Sequence, residues 1–488
     1  MKKIVYILLS GILLFGTSCE NFLDVEPPLN VTDADVWSDA ARIETTLLGL
    51  YATVKNTAAG GADGFALLGG IGLAAMDARG DDFFNGTSNA LLLMDASNFM
   101  VDDQEGYNDR FWRFAYLAIN RANIFLANLE RPEAQDALGT ERVAQFRAEA
   151  QFIRALCYFF LVNVYAPPYV INPNAPAIPL RLQPETGEPN NHLARSTVAQ
   201  IYAQILSDLS DANINALPVR GATPTEATVT RATQAAARML RMRTYMGQRN
   251  WTAAIAQGRA ITNSGIYQLA ADVADTFSAP FFNQETILSF PMALNNRPNT
   301  QLGVIDFFNP VNAAGARLAD VLLLNMTDGI LSKPNYSLPF DARIQAFVSE
   351  TTPQRLLKFR DPARLEWTHL FRYAETLLGL AESYAALGGD ANEAAARALL
   401  TQVRRRSIPN VSPNYDPLDI AALSDEALRT AISNERRLEL LGEGVRGIDI
   451  TRRGERFVRG AINIGPGDPG YLWPIPANEG LFNNLIGE

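Results

Sequence analysis

The sequence predicts an all-α fold in which tetratricopeptide-like helical pairs form a scaffold, joined by long irregular loops with a few short strands. Three observations lead there. Apolar residues recur at helical spacing in one segment after another. Several of these segments arrive in antiparallel-looking pairs, with small residues where two helices would touch. Between them lie stretches too rich in Pro and Asn for regular structure, such as "APPYVINPNAPAIPLRLQPETGEPNN" (166–191).

The elements follow in order. Residues 38–55, "SDAARIETTLLGLYATVK", read as a helix opened by Ser38 as N-cap. A second covers 109–130 and a third 141–165, the latter stopped by Pro167-Pro168. Residues 196–216 and 230–247 form a further pair. The stretch 251–264 extends it, with Gly265 as the stop. From about 270 to 365 the periodicity weakens into loops and short strands. Helical spacing returns at 366–387, closed by Gly388-Gly389, then at 391–406 and 424–441. "RMRTYMGQRNWTAAIAQGRAI" and "LLGLAESYAALGGDANEAAARALLTQVR" each read as a helix, a Gly turn and a second helix. Their unequal lengths suggest a packed scaffold and not an open solenoid.

The N-terminus has the parts of an export signal. Met1-Lys2-Lys3 is basic, and Ile4 to Phe15 are apolar over 12 residues, short of the ~20 that span a bilayer. Gly16-Thr17-Ser18 then run straight into Cys19. This is the arrangement of a bacterial lipobox, although Gly16 stands where Leu is usual. The expectation is a lipoprotein signal peptide over 1–18 and a lipidated Cys19. An ordinary signal followed by a chance cysteine is the alternative.

Composition narrows the function. Of 488 residues 48% are hydrophobic, enough for a sizeable core, and the net charge of −10 argues against a nucleic-acid partner. The second cysteine, Cys157, lies in an apolar helical stretch and reads as a small core residue, with no disulfide framework. Two distant histidines, His192 and His369, leave no Cys/His metal motif. No cofactor is expected. "VDDQE" (101–105) clusters oxygens that would suit a structural divalent ion, though surface acids usually mean only solvation.

Several segments together resemble the RagB/SusD family of outer-membrane nutrient-uptake lipoproteins. They are "CENFLDVEPP", "ETTLLGLYATVK", "AEAQFIRALCYFFLVNVYAPPYV", "FRYAETLLGLAESYAALGG", "ERRLELLGEGVRGIDITRRG" and "LWPIPANE", in the family's order. Within them Glu435, Glu439 and Glu443 stand at i, i+4 and i+8 around Arg436 and Arg437, so that neighbouring turns can exchange ion pairs. Their expected role is fastening, not acid–base chemistry. Gly442 departs from the family's more usual aromatic and is expected to weaken packing there.

The resemblance implies an N-terminal helical region with ligand-facing loops over 19–330 and a C-terminal region over 331–488. It also implies a binding protein and not an enzyme. Such a protein sits on the outer membrane by its lipid, facing outward, and passes an oligosaccharide or other small polymer to a SusC-like TonB-dependent transporter. Peptide cargo is the alternative in the same role. A lipid-anchored helical glycoside hydrolase would instead need two carboxylates ~5–9 Å apart across a cleft, and no pair of acids is singled out by context.

A sugar site needs aromatic faces for the ring and polar groups for the hydroxyls. "MDARGDDFFNGTSN" (76–89) offers Asp77, Arg79, Asp81, Asp82, Phe83, Phe84 and Asn85, where the family's ligand-facing loop would fall. The same residues also suit a turn with its aromatics tucked into the core. A second candidate joins Phe282 and Asn283 to Asn296 and Arg297, in stretches equally compatible with a solvated loop. Trp37, Trp112, Trp251, Trp367 and Trp473 all lie in segments that read as structural.

Overall fold

A computed structural model describes residues 33–487 apart from 56–66, 88–92, 105, 188–189 and 410–415. The signal segment and Cys19 lie outside the described residues. The longer helices are α1 (Ala40–Lys55), α2 (Ile71–Ala78), α3 (Gly106–Asn128), α4 (Pro132–Tyr165), α5 (Val198–Asp208), α6 (Gln234–Gly247), α7 (Trp251–Thr262), α8 (Tyr373–Leu387), α9 (Asp390–Ser407), α10 (Asp425–Glu439) and α11 (Arg446–Arg453). The all-α expectation holds, with, among the described residues, four small antiparallel ladders. These pair β1 (Phe83–Asn85) with β5 (Leu322–Leu324), β2 (Pro176–Pro179) with β3 (Arg195–Thr197), β4 (Thr286–Phe290) with β6 (Thr368–Arg372), and β7 (Phe457–Arg459) with β8 (Ile462–Ile464).

The centre is α4. Its second half is buried on every side from Phe152 to Tyr165, as a helix apolar all round must be. It packs against α1, α3 and α5. Beside that bundle the hairpin α6–α7 lies on α8, which pairs with α9 and carries α10 on a further face. Two glycines permit the close approach: a Cβ on Gly258 would stand 2.5 Å from Leu380, and one on Gly379 2.5 Å from Met242. One large hydrophobic core runs through both halves. Two satellite clusters sit apart from it, one around Phe99, Ile450, Phe457 and Tyr471, the other around Val229, Met292 and Trp367.

Several local expectations change, among them the helix expected over 196–216, which divides at Leu209-Ser210. Asp39, not Ser38, caps α1, its Oδ1 accepting from the N–H groups of Ala41 and Arg42 at 2.9 and 3.0 Å. The third helix begins at Pro132 and is interrupted at Gly139, whose φ of 73° is not helical. Residues 368–372 form β6 and not the first turn of a helix, because β4 supplies ladder partners that local periodicity cannot display. Gly442 does not loosen its surroundings: its φ is 82° and an added Cβ would lie 2.1 Å from Leu356 Cδ2. Only glycine fits that backbone and that space.

Candidate functional site

The 76–85 stretch turns inward. Asp77 Oδ2 accepts from Gly444 N–H at 2.8 Å and Oδ1 from Arg446 N–H at 3.3 Å. Burial pushes its carboxyl up to about 7. Arg446 grips Asp81 with two bonds, Nε to Oδ1 at 2.6 Å and Nη2 to Oδ2 at 2.9 Å. Arg437 does the same for Asp82, at 3.2 and 2.6 Å. Burial pushes Asp81 up, but Arg446 and Arg437 outweigh it and hold the group below its ordinary value. Arg79 is buried between the rings of Phe457 and Trp473 and donates to the Tyr471 carbonyl at 2.6 Å. Phe83 packs on Phe308 with centroids 5.0 Å apart.

Alternation along β1 sends Phe84 the other way, 38% exposed. Asn85 is half-buried, and its Oδ1 accepts from Thr87 N–H at 2.7 Å. Of the seven residues in this stretch, Phe84 presents the most surface to a ligand. Asp77, Arg79, Asp81 and Asp82 form a joint between this loop and α10 with the chain that follows it.

That joint continues into a network of buried charges along α10. Glu435 accepts from Arg343 at 2.5 Å and Arg404 at 2.8 Å. Glu439 accepts from Arg343, Arg372 and Arg406 at 3.2, 3.1 and 2.6 Å. Glu443 binds Lys358 at 2.7 Å and both Nε and Nη2 of Arg372 at 2.7 and 2.8 Å. Arg372 also pairs with Glu285. Burial alone would raise Glu439, yet Arg406, Arg372 and Arg343 hold it well below the carboxylate range.

The fastening role expected of these acids is what the geometry shows, but the partners differ from expectation. Arg436 reaches Glu375 and Asp449, and Arg437 reaches Asp82, so the α10 arginines bind other elements and not the neighbouring turns. The third helix behaves alike: Glu149 is held by Tyr51 and Arg231, and Arg154 by Asp208.

The second predicted stretch faces outward. Phe282 stacks on Trp367 with centroids 5.4 Å apart and planes 26° from parallel. Phe281, held at φ 65°, joins them over Met292 and Val229. Both phenylalanines are half-buried, and Leu294 nearby is 73% exposed. Asn283 is tied down, its Nδ2 donating to Thr276 Oγ1 at 3.1 Å and its Oδ1 accepting from Glu285 N–H at 2.9 Å. Asn296 is exposed on the next loop, its Oδ1 accepting from Ala293 N–H at 2.8 Å. Arg297 Nη1 donates to the Ala363 carbonyl at 2.5 Å.

The result is an aromatic platform with amide and guanidinium groups on its adjoining loops. Phe282 is among the residues the sequence singles out, and Trp367 is buried beneath it, structural as its segment reads. A separate groove of about 640 Å³ opens between α7, α8 and α10, with Trp251, Arg249, Arg429 and Glu426 on its walls. Two more lining groups there, Glu382 and Arg453, are bonded to each other at 2.8 Å.

Cys157 and His369 are sealed, whereas His192 is exposed. Cys157 is buried, and burial pushes its thiol far up. His369 bridges Ser289 Oγ at 2.7 Å and the Thr276 carbonyl at 2.8 Å, and burial pulls it down to about 4. No described helix is long and apolar enough to cross a membrane.

Comparison with known proteins agrees with this architecture. Residues 21–246 match the SusD-like family described as starch-binding and associating with the outer membrane, and residues 361–467 match the SusD family. A SusD superfamily protein from Bacteroides fragilis is 45% identical, with a TM-score of 0.84 over 93% of this chain and 100% of its own. A laminarin-binding SusD-like protein superposes with a TM-score of 0.68 at 21% identity, covering 92% of this chain and 98% of its own. A SusD-like protein of Formosa agariphila is 23% identical over 99% of this chain and 98% of its own. Matched at both ends and superposed over nearly its whole length, the chain belongs to the SusD family.

Proposed function

We propose that the protein is a cell-surface lipoprotein that captures a glycan on the Phe281–Phe282 face, backed by the buried Trp367, and passes it to a SusC-like TonB-dependent transporter. The observation that carries the reading is that platform: a stacked aromatic pair with exposed apolar and amide groups, set in loops on the family's rigid scaffold. Loops held by a rigid frame are where binding residues concentrate. A sugar ring placed over Phe282 buries its apolar face, while Asn296 and Arg297 meet its hydroxyls. Phe84 contributes a further ring, and Cys19 carries the lipid that holds the chain at the membrane.

Binding without turnover is the expected behaviour, supported by the commitment of the buried carboxylates along α10 to guanidinium partners. The test is binding of the purified protein to an array of polysaccharides, oligosaccharides and peptides, followed by analysis of the recovered ligand. A saturable glycan signal, unchanged ligand and loss of binding in Phe281→Ala/Phe282→Ala are expected. Cleaved ligand overturns the capture role, and a signal confined to peptides overturns the cargo class.

A further inference from the structure

Most buried arginines of this protein sit on carboxylates: Arg154 on Asp208, Arg243 on Glu375, Arg343 on Asp341, Arg404 on Asp416, Arg436 and Arg452 on Asp449. Arg220 does not. It is 1% exposed, and its guanidinium donates only to carbonyls, those of Thr286 at 2.7 Å, Ile266 at 3.0 Å and Gln284 at 3.3 Å. One of its faces lies 4.1 Å from the ring centroid of Tyr267. Its Nε has no hydrogen-bond partner among the described residues.

Arg220 lines a cavity of about 50 Å³ at one end of the α6–α7 hairpin. A second guanidinium, Arg238, lines the same cavity from α6. Its contact is a long one, 3.4 Å from Nη1 to Gln257 Oε1. The carboxylate that acts on it, Asp211, is already bonded to Arg241 at 2.7 Å. Gln234 and Ala235, in the first turn of α6, form another wall, so the positive end of that helix adds to the field of the two cations. Burial pulls both guanidinium groups below their ordinary value, as expected for cations without a counter-charge. The exposed Val219 and Ser264 stand at the rim.

We propose that this cavity is a binding site for a single oxyanion group, a carboxylate or a sulfate. Guanidinium groups bind such oxygens through strong charge-assisted hydrogen bonds. At roughly 10–15 Å³ for each water-sized centre, the space admits a few such centres and not a sugar ring. The anion is therefore either a free inorganic ion or the acidic substituent of a larger ligand whose body stays outside. The assignment does not depend on glycan capture at the aromatic platform. The two places are nonetheless linked, since Arg220 holds the carbonyls of Gln284 and Thr286 just beyond Phe282.

The test is titration calorimetry of the purified protein with sodium sulfate, sodium acetate, methyl glucuronide and methyl glucoside, at constant ionic strength against chloride. Saturable one-to-one binding of an oxyanion, none of the glucoside, and at least a tenfold loss in Arg238→Gln are expected. Binding in Arg249→Gln, which alters an exposed arginine of the separate groove, should be unchanged. Arg220→Lys risks unfolding because it loosens three carbonyls, so Val219→Trp, which crowds the rim, serves as the second variant and should also weaken binding. Glucuronide bound more tightly than acetate or sulfate assigns the site to an acidic sugar. Sulfate and acetate bound without glucuronide assign it to a free ion. Absence of saturable binding by all three anions, or equal binding in Arg238→Gln, overturns the proposal.

Discussion

The α10 joint and the aromatic platform are built on opposite principles. In the joint, charges several turns or several hundred residues apart are buried together, and Glu435, Glu439 and Glu443 each have more than one cationic partner. In the platform three aromatic side chains meet on a satellite cluster outside the main core, bordered by amides already tied to their own loops. The joint is chemically conspicuous and is committed to holding the chain together. The platform is plain and leaves surface available. Residues rich in function-like chemistry are therefore poor pointers to a ligand unless their partners are known, because most buried charges are already committed to a partner.

Breaking the joint should give the largest effect. Arg372→Ala leaves Glu285, Glu439 and Glu443 short of a shared cation. The expected loss is about 3–5 kcal/mol, read by denaturant unfolding, and a loss near zero would mean that the network is dispensable. Gly442→Ala comes next: a left-handed backbone costs about 1–2 kcal/mol for a residue with a Cβ, and the contact with Leu356 adds to it. Restored stability in the double variant with Leu356→Ala would separate the crowding from the backbone cost.

The pH dependence sharpens the contrast further. His369 is pulled from 6.5 to about 4 by burial, so the unfolded chain takes up the proton first as pH falls. Its contribution is present above about 6.5. It is lost at roughly 1.4 kcal/mol per pH unit down to about 4. Asp77 and Glu366, both raised to about 7 by burial, act with the opposite sign: the folded chain keeps their protons longer, and their contribution is lost as pH rises toward 7. The stability advantage of the parent over His369→Gln should therefore shrink between pH 6.5 and 4, and a constant difference would contradict a neutral buried imidazole. The smallest effect on stability belongs to Phe282→Ala, at about 1 kcal/mol or less for a half-buried surface ring. Glycan binding should nonetheless fall at least tenfold, by the same array measurement. Phe282→Ala unfolding the protein without touching binding in the folded fraction would make the platform structural, like the joint.

Much of the helical scaffold was legible because helices announce themselves locally. The 3.6-residue spacing of α3, α7 and α9, and the glycines after α8, need no partner to be read. Strand β6 is not legible because "THLFR" shows no apolar alternation, being buried at every position, and its ladder partner lies some eighty residues upstream. The acids of 76–85 were visible as charges, but Arg437 and Arg446 meet them from more than 350 residues away. Trp367 is structural, as its segment reads: it is buried in a small cluster, and only its stacking under Phe282 from another loop is invisible in the sequence. Arg220 gave no signal at all, since nothing in a sequence marks an arginine that lacks a carboxylate.

The loop that follows β4 is pinned at both ends. The Pro291 carbonyl accepts from Lys55 Nζ at 2.8 Å, and the Leu302 carbonyl from Ile71 N–H at 3.0 Å. Lengthening a loop between fixed ends is inexpensive, about 0.6 kcal/mol for each doubling of a flexible segment. Insertions and deletions between those two anchors leave β4, β6 and the charged joint where they are. On the proposed function, the anchored loop is thus an exchangeable cartridge: rewriting the dozen or so residues between the anchors would change which ligand is bound and leave the frame alone.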